Sequence, residues 1–197
     1  MVRGPNGVET KTLPSLPAKH KPMTKPRILK TRVTHLEMTE RPTQSVPTPV
    51  SFKLALMRAT KISLPFYRFL YEQVGKPHHW SVHRRLNDEE LAAIIHRSNV
   101  DIHVLYADGS PAGFFELVID EVQAVTEILY FGLVPEFQGR GLAKFFLNEA
   151  ILTAWMNSPQ RVIIETNTLD SPRALQMYQR MGFKPVSFAE AEIEAWD

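Results

Sequence analysis

The stretch that decides the reading runs Val125-Thr-Glu-Ile-Leu-Tyr-Phe-Gly-Leu-Val-Pro-Glu-Phe-Gln-Gly-Arg-Gly-Leu-Ala143 and continues through an apolar segment to Trp155. Its first ten residues are almost continuously apolar, as in a strand covered on both faces. Gly139 and Gly141 then flank Arg140 in a short loop. Residues 142–155 follow with helical apolar spacing, their polar positions Lys144, Asn148, Glu149 and Thr153 confined to one side. A helix that begins at the second glycine leaves its first-turn N–H groups pointing outward, with the positive end of the dipole behind them. That junction suits a phosphate or pyrophosphate.

Working outward, the spacing predicts strands over 28–38 and 52–59, helices over 64–74 and 89–97, and a hairpin of strands 101–107 and 112–119 turning through Asp108-Gly-Ser-Pro111. The first helix stops at Gly75, and Asn87 or Asp88 caps the second. After the glycine loop and its helix come a strand over 161–166, a helix over 171–181 with Ser171 as cap and Pro172 at its first position, and a last strand over 183–193. In 28–38, Val33, His35 and Glu37 fall on one face and Thr34, Leu36 and Met38 on the other. The only βαβ crossover encloses the glycine loop, so a ligand is expected beyond the carboxyl end of strand 125–134.

Composition narrows the classes. The 197 residues suffice for one domain and some excess, and no apolar run approaches the roughly 20 residues that cross a bilayer. There is no cysteine, which excludes disulfides, a thiol nucleophile and thiolate metal sites and fits a cytoplasmic protein. Residues 1–32 carry eight Lys/Arg against Glu9 alone, so the remainder has 15 basic and 20 acidic residues, a net of −5. An acidic folded part argues against a nucleic-acid groove and favours a cationic acceptor. Residues 1–26, with five prolines and many lysines, read as a disordered basic leader, and 27–197 as a single domain.

The spacing rejects two glycine-loop classes: no Gly-Lys-Ser/Thr follows for a nucleoside-triphosphate loop, and Lys144 stands where a dinucleotide fingerprint needs a third small residue. Gln138-Gly-Arg-Gly-Leu-Ala143 instead resembles the Gln/Arg-x-x-Gly-x-Gly/Ala pyrophosphate loop of the Gcn5-related N-acetyltransferase (GNAT) superfamily. Ser171-Pro-Arg-Ala-Leu-Gln-Met-Tyr-Gln-Arg-Met-Gly-Phe183 resembles that family's Asn-x-x-Ala-x-x-Leu-Tyr-x-x-x-Gly-Phe signature, with Ser171 and Met177 as departures. The resemblance covers about residues 50–190. It implies an α/β fold: a mixed, mostly antiparallel central sheet with helices on both faces.

The resemblance further implies acetyl transfer from acetyl-CoA, without a metal, to the amine of a small molecule or protein lysine by direct attack. A non-catalytic acyl-CoA-binding module of the same fold is the alternative. Gln138, Gly139, Arg140, Gly141, Leu142 and Ala143 would hold the pyrophosphate, and Ser171 would also bind the cofactor. Phe131, Gly132, Leu133 and Val134 would pair with pantetheine, an N–H near Leu133 polarising the thioester carbonyl. Tyr178 would protonate the leaving thiolate. Glu127, eleven residues before Gln138 in an apolar strand, falls where one branch of the family carries its base; Glu116 is its rival. Tyr71, Trp80 and Glu116 lie where the acceptor would bind. His78, His79 and His83 have no acidic ligand beside them in the sequence, so no metal site is expected. One strand follows the last helix where the family commonly has two. The acceptor-side wall is therefore open, completed by strand 28–38, or completed by a second subunit in a homodimer.

Overall fold

Strand β1 (Ile28–Met38) lies inside the sheet, not at its edge. In the computed structural model, which describes residues 27–196, it is hydrogen-bonded antiparallel to both β6 (Arg161–Asn167) and β7 (Lys184–Glu194), with His35 opposite Glu165 on one side and Ser187 on the other. The sheet beside β7 is thus completed by the N-terminal strand. The remaining strands are β2 (Leu54–Arg58), β3 (Val100–Ala107), β4 (Ser110–Asp120) and β5 (Val125–Leu133), and the seven run in the order β2-β3-β4-β5-β6-β1-β7. Every neighbouring pair is antiparallel except β5 with β6. The basic leader at 1–26 lies outside the described residues. Among those described, no helix is long and apolar enough to cross a membrane.

Helices cover both faces. On one, α3 (Leu142–Trp155) and α4 (Ala174–Arg180) bury Phe146, Leu147, Ile151 and Tyr178 against Phe115, Ile128, Val162, Ile164 and Leu36. On the other, α1 (Leu64–Gly75) and α2 (Asp88–Ile95) bury Tyr67, Leu70, Val74, Leu91 and Ile95 against Ile102, Val104 and Phe114. Asn87 caps α2 in a full capping box: its side chain accepts from the Glu90 N–H, and the Glu90 carboxylate accepts from the Asn87 N–H, both at 2.9 Å.

Two expectations are corrected. Helix α4 begins at Ala174 and not at 171; Ser171 belongs to a turn ahead of it, its Oγ accepting from the Arg173 N–H at 3.4 Å. Pro172 therefore precedes the helix and does not occupy its first position. On α3, Asn148 is buried where it was expected on the polar side, its amide nitrogen 3.5 Å from Glu149 Oε1.

The feature that positions the site is a fork in the sheet. Leu117 lies opposite Ile128, yet Glu116 lies opposite Tyr130, so Leu129 is one residue extra in β5. Such a bulge bends its strand and ends regular pairing. Beyond it, β5 keeps β4 as partner out to Leu133, while its parallel pairing with β6 stops at Ile128 and Ile164. Strand β6 runs on with β1 through Thr166 and Asn167. A wedge therefore opens between β5 and β6. The bulge also brings Glu127 and Tyr130 to the same face of the sheet, the α1 face.

Gly132 sits where this fork meets α1. A Cβ there would lie 2.3 Å from Val74 Cγ1, so only glycine allows the helix to pack this close. Gly132→Ala is expected to destabilise the domain by about 1–3 kcal/mol through overpacking. Adding Val74→Ala should recover part of that loss in denaturant titration, because the second change vacates the space the first one fills.

Candidate active site

The loop below the wedge is built by glycine geometry. After a 3-10 turn at Pro135–Phe137, Gly139 and Gly141 both adopt left-handed backbone, with φ of 72° and 81°. That region disfavours a side chain, and a Cβ at either position would meet nothing within 4 Å. Gly141 is the N-cap of α3, so the helix presents the N–H groups of its first turn, from Leu142 and Ala143 onward, to that open side. The Arg140 guanidinium lies 6.0 Å from the Phe52 ring centroid and 5.8 Å from that of Phe137.

Inside the wedge, strand alternation decides which backbone groups are presented. The Val134 N–H is committed to Ala112 O of β4 at 2.9 Å, so those of Leu133 and, two residues earlier, Phe131 face away from β4, toward the gap. The Leu133 carbonyl on that side accepts from Gln138 Nε2 at 3.0 Å, tying the loop to the strand end. The Gly132 backbone faces β4, and its glycine identity is explained by Val74. The Phe131 side chain turns to the α3 face against Phe146. Tyr178 of α4 is buried with its ring edge-on to Phe131 at 6.5 Å and to Phe183 at 6.3 Å, which brings a phenol beside the part of β5 that borders the wedge. Burial, and then the carboxylate of Asp170, pushes that phenol's pKa well up.

On the opposite, α1 face lie the acids. Glu116 is fully buried. Its Oε2 accepts from the Tyr67 hydroxyl at 2.7 Å, while Oε1 is buried without a hydrogen-bond partner. Burial pushes its pKa up to about 7, the Tyr67 bond opposing the rise and the charge of Glu127 adding to it. Glu127, one strand over and half-buried, is also raised: burial first, then Glu165 of β6, with His35 of β1 pulling the other way. His35 Nδ1 and Glu165 Oε1 are 2.5 Å apart. Glu116→Gln gives a stability signature with a fixed sign. A carboxyl whose folded pKa is raised contributes stability below its unfolded value near 4.5 and loses it as pH rises through about 7. The variant should therefore be more stable than the parent at pH 8, by on the order of 3 kcal/mol, and gain nothing at pH 4; melting curves at the two pH values check this.

An aromatic group roofs the acids. Tyr71 packs against Trp80, Tyr130, His83 and Trp196. The segment between α1 and α2 is tied across to the C-terminal strand: the Trp196 N–H donates to His79 Nδ1 at 3.0 Å, the Arg84 guanidinium sits 4.7 Å from the Trp196 ring centroid, and Arg85 pairs with Glu194. His78 Nδ1 lies 3.3 Å from Leu169 O. The three histidines singled out in the sequence thus each have a different partner: Leu169, Trp196 and, for His83, Tyr67.

A sheet forked over a glycine loop and a helix N-terminus, with acids on one face and a phenol on the other, has a counterpart among known families. The model of the acetyltransferase (GNAT) family matches residues 63–183. The chain belongs to that family. No curated protein matches it in sequence. Solved structures with the same fold include a conserved protein of unknown function from Staphylococcus epidermidis (16% identity, TM-score 0.56, covering 85% of this chain and 63% of that one). A putative GNAT acetyltransferase from Novosphingobium aromaticivorans is 14% identical, with TM-score 0.58 and coverage of 86% and 67%. The aminoglycoside N-acetyltransferase AAC(6')-Iy, in complex with CoA, is 22% identical, with TM-score 0.51 and coverage of 72% and 94%. The chain therefore spans less than two thirds of the Staphylococcus protein's length.

Within this GNAT domain the structure brings Phe131, Leu133, Gln138 and Tyr178 together around the wedge and Glu116, Tyr71 and Trp80 together on the α1 face. Ser171 stands apart in its turn. Sequence reasoning did not single out His35, Glu165 or Trp196. Glu165 carried a usable signal, an acid inside Arg-Val-Ile-Ile-Glu-Thr like Glu127 in its own apolar strand. His35 and Trp196 carried none, because their positions depend on where β1 inserts and on how the chain end folds back.

Proposed function

We propose that the protein transfers the acetyl group of acetyl-CoA to an amine, with Glu127 as base and Tyr178 as acid. The observation that carries this is the wedge, bordered by outward N–H groups of β5, an acid on one face and a protonated phenol on the other. Acetyl-CoA fits as substrate because the Gly139–Gly141 loop leaves open space before a helix N-terminus and β5 offers backbone to an extended pantetheine. Backbone N–H groups of 138–143 hold its pyrophosphate, with Arg140 adding a charge-assisted contact.

The acceptor arrives as an ammonium ion and must lose a proton before its nitrogen can attack. Glu127 takes it in preference to Glu116, since Glu127 is half-buried and Glu116 is closed off from any acceptor. As the nitrogen attacks the thioester carbonyl, the Phe131 and Leu133 N–H groups face the oxygen that gains charge. The carbon–sulfur bond then breaks, Tyr178 gives its proton to the departing thiolate, and the second proton shed by the attacking nitrogen restores the phenol, so one net proton is left on Glu127. No covalent enzyme intermediate is needed, and there is no cysteine to form one. The carboxylates around Glu127 favour cationic acceptors, a class that includes aminoglycosides such as those the structural relative's name describes.

The test is release of free thiol from acetyl-CoA in the presence of simple amines, aminoglycosides and lysine peptides. Turnover with at least one acceptor supports the reading. Binding of CoA with no turnover for any of them would mean a non-catalytic acyl-CoA-binding domain instead.

A further inference from the structure

Each acetylation of an ammonium ion releases one net proton. The half-buried Glu127 that collects it must be emptied before the next turnover, beneath a roof of Tyr71, Trp80 and Tyr130. We infer that Glu116, Tyr67 and His83 form a proton relay that carries this proton from the acceptor site to the pocket walled by Arg68, His83 and Trp196. The inference rests on the proposed acetyl transfer.

From Glu116 to His83 the relay is hydrogen-bonded throughout. Glu116 and Glu127 project from the same face of neighbouring strands, as diagonal neighbours, with Glu116 opposite Tyr130 and Glu127 opposite Val118. From Glu116 Oε2 the chain runs 2.7 Å to the Tyr67 hydroxyl and 2.6 Å from there to His83 Nδ1. Tyr67 and His83 both line a pocket of about 430 Å³ whose wall also includes Arg68, Tyr71 and Trp196. The His83 ring stacks on Tyr71 at 5.4 Å, and the His83 backbone N–H donates to the Tyr71 hydroxyl at 3.3 Å. A phenylalanine would fill the place of Tyr67, and a buried carboxyl with one free oxygen is costly unless a partner visits it.

The proton count closes. Tyr67 has one hydroxyl proton and two partners, so the chain has two settings. With Glu116 protonated, Oε2–H donates to Tyr67 and Tyr67 donates to His83 Nδ1. A proton arriving at the unpartnered Oε1 from Glu127, directly or through one water, lets Oε2–H pass to the Tyr67 oxygen. The Tyr67 proton passes to His83 Nδ1, and His83 releases its Nε2 proton to the pocket. Three O–H or N–H bonds form and three break within the relay, and no residue ends charged; it resets when the Glu116 carboxyl and the Tyr67 hydroxyl rotate back and the His83 ring, turned toward the pocket, trades its Nδ1 proton for one on Nε2. The groups facing it are Glu127 and Tyr130 from β5, Tyr71 from α1 and Tyr67 itself. Burial favours the neutral forms this requires, lifting Glu116 to about 7 and lowering His83 to about 4.

Tyr67→Phe and His83→Ala, in the full chain, test the relay. The expected result is a fall of about tenfold or more in kcat with the KM for acetyl-CoA and for the amine unchanged. Activity of His83→Ala should be restored in a concentration-dependent way by imidazole, which a purely structural defect would not allow. Wild-type kcat in Tyr67→Phe would overturn the relay and leave the acetyltransferase reading standing. So would a loss in His83→Ala that imidazole does not relieve while its melting temperature stays at the parent's value. A parent enzyme that acetylates no amine would remove both.

Discussion

Replacing Glu127 with Gln should lower kcat for amine acetylation by about 10²–10⁴-fold, the usual contribution of a positioned general base, with little change in the KM for acetyl-CoA. The reasoning starts from where the side chain sits. Glu127 is the last outward acid of β5 before the bulge, so it stands at the mouth of the wedge and not within it. It is half-buried, which both admits an amine and raises the carboxyl above the usual glutamate range. A base must be ionised to act, so kcat/KM should climb with pH through the Glu127 pKa and then level off.

The neighbours fix how that climb moves. Glu165 adds to the rise and His35 opposes it. Glu165→Gln should therefore lower the Glu127 pKa and shift the acidic limb to lower pH, whereas His35→Gln should shift it to higher pH. Glu127→Gln should abolish the limb. A variant with full kcat, or a limb that ignores both neighbours, would exclude Glu127 as the base and leave Glu116 to be tested in its place.

How much of this was legible in the chain depends on the range of the interaction behind each feature. The glycine loop and α3 were readable because their causes are local: Gly139 and Gly141 supply the left-handed backbone, and the helix follows at once. The element order was readable for the same reason, since β5 and β6 are apolar runs bounded by turns. Boundaries slipped where local signals conflict, as at Ser171-Pro-Arg, where a cap-like serine heads a turn and the helix waits for Ala174. The position of β1 was only one of three options, since Val33, His35 and Glu37 alternate with Thr34, Leu36 and Met38 equally well in an edge or a central strand. Its insertion between β6 and β7 is set by pairing partners more than a hundred residues away, and with it came His35, whose ring meets Glu165 and opposes the rise of the Glu127 carboxyl. The Tyr67–His83 bond was equally hidden, because it depends on the path of the segment between α1 and α2.

The second large effect is expected at Tyr178, where Phe should cost about 10²-fold or more in kcat and almost nothing in stability. Phenylalanine keeps the edge-on contacts with Phe131 and Phe183 that hold the ring, so only the hydroxyl is lost. That hydroxyl is suited to one task. Burial, with the Asp170 carboxylate, raises its pKa above that of an ordinary phenol, so Tyr178 is still protonated where Glu127 is ionised and gives up that proton as it regains one from the attacking nitrogen. The two variants should therefore differ in kind. Glu127→Gln removes the acidic limb of the profile, whereas Tyr178→Phe lowers the plateau and leaves the limb where it was. Acetyl-CoA binding, followed by calorimetry, should be close to the parent's in Tyr178→Phe because the pyrophosphate loop and the β5 backbone are untouched. Full kcat in Tyr178→Phe, or a shifted limb with an unchanged plateau, would exclude the phenol as the proton donor and transfer that role to solvent in the wedge.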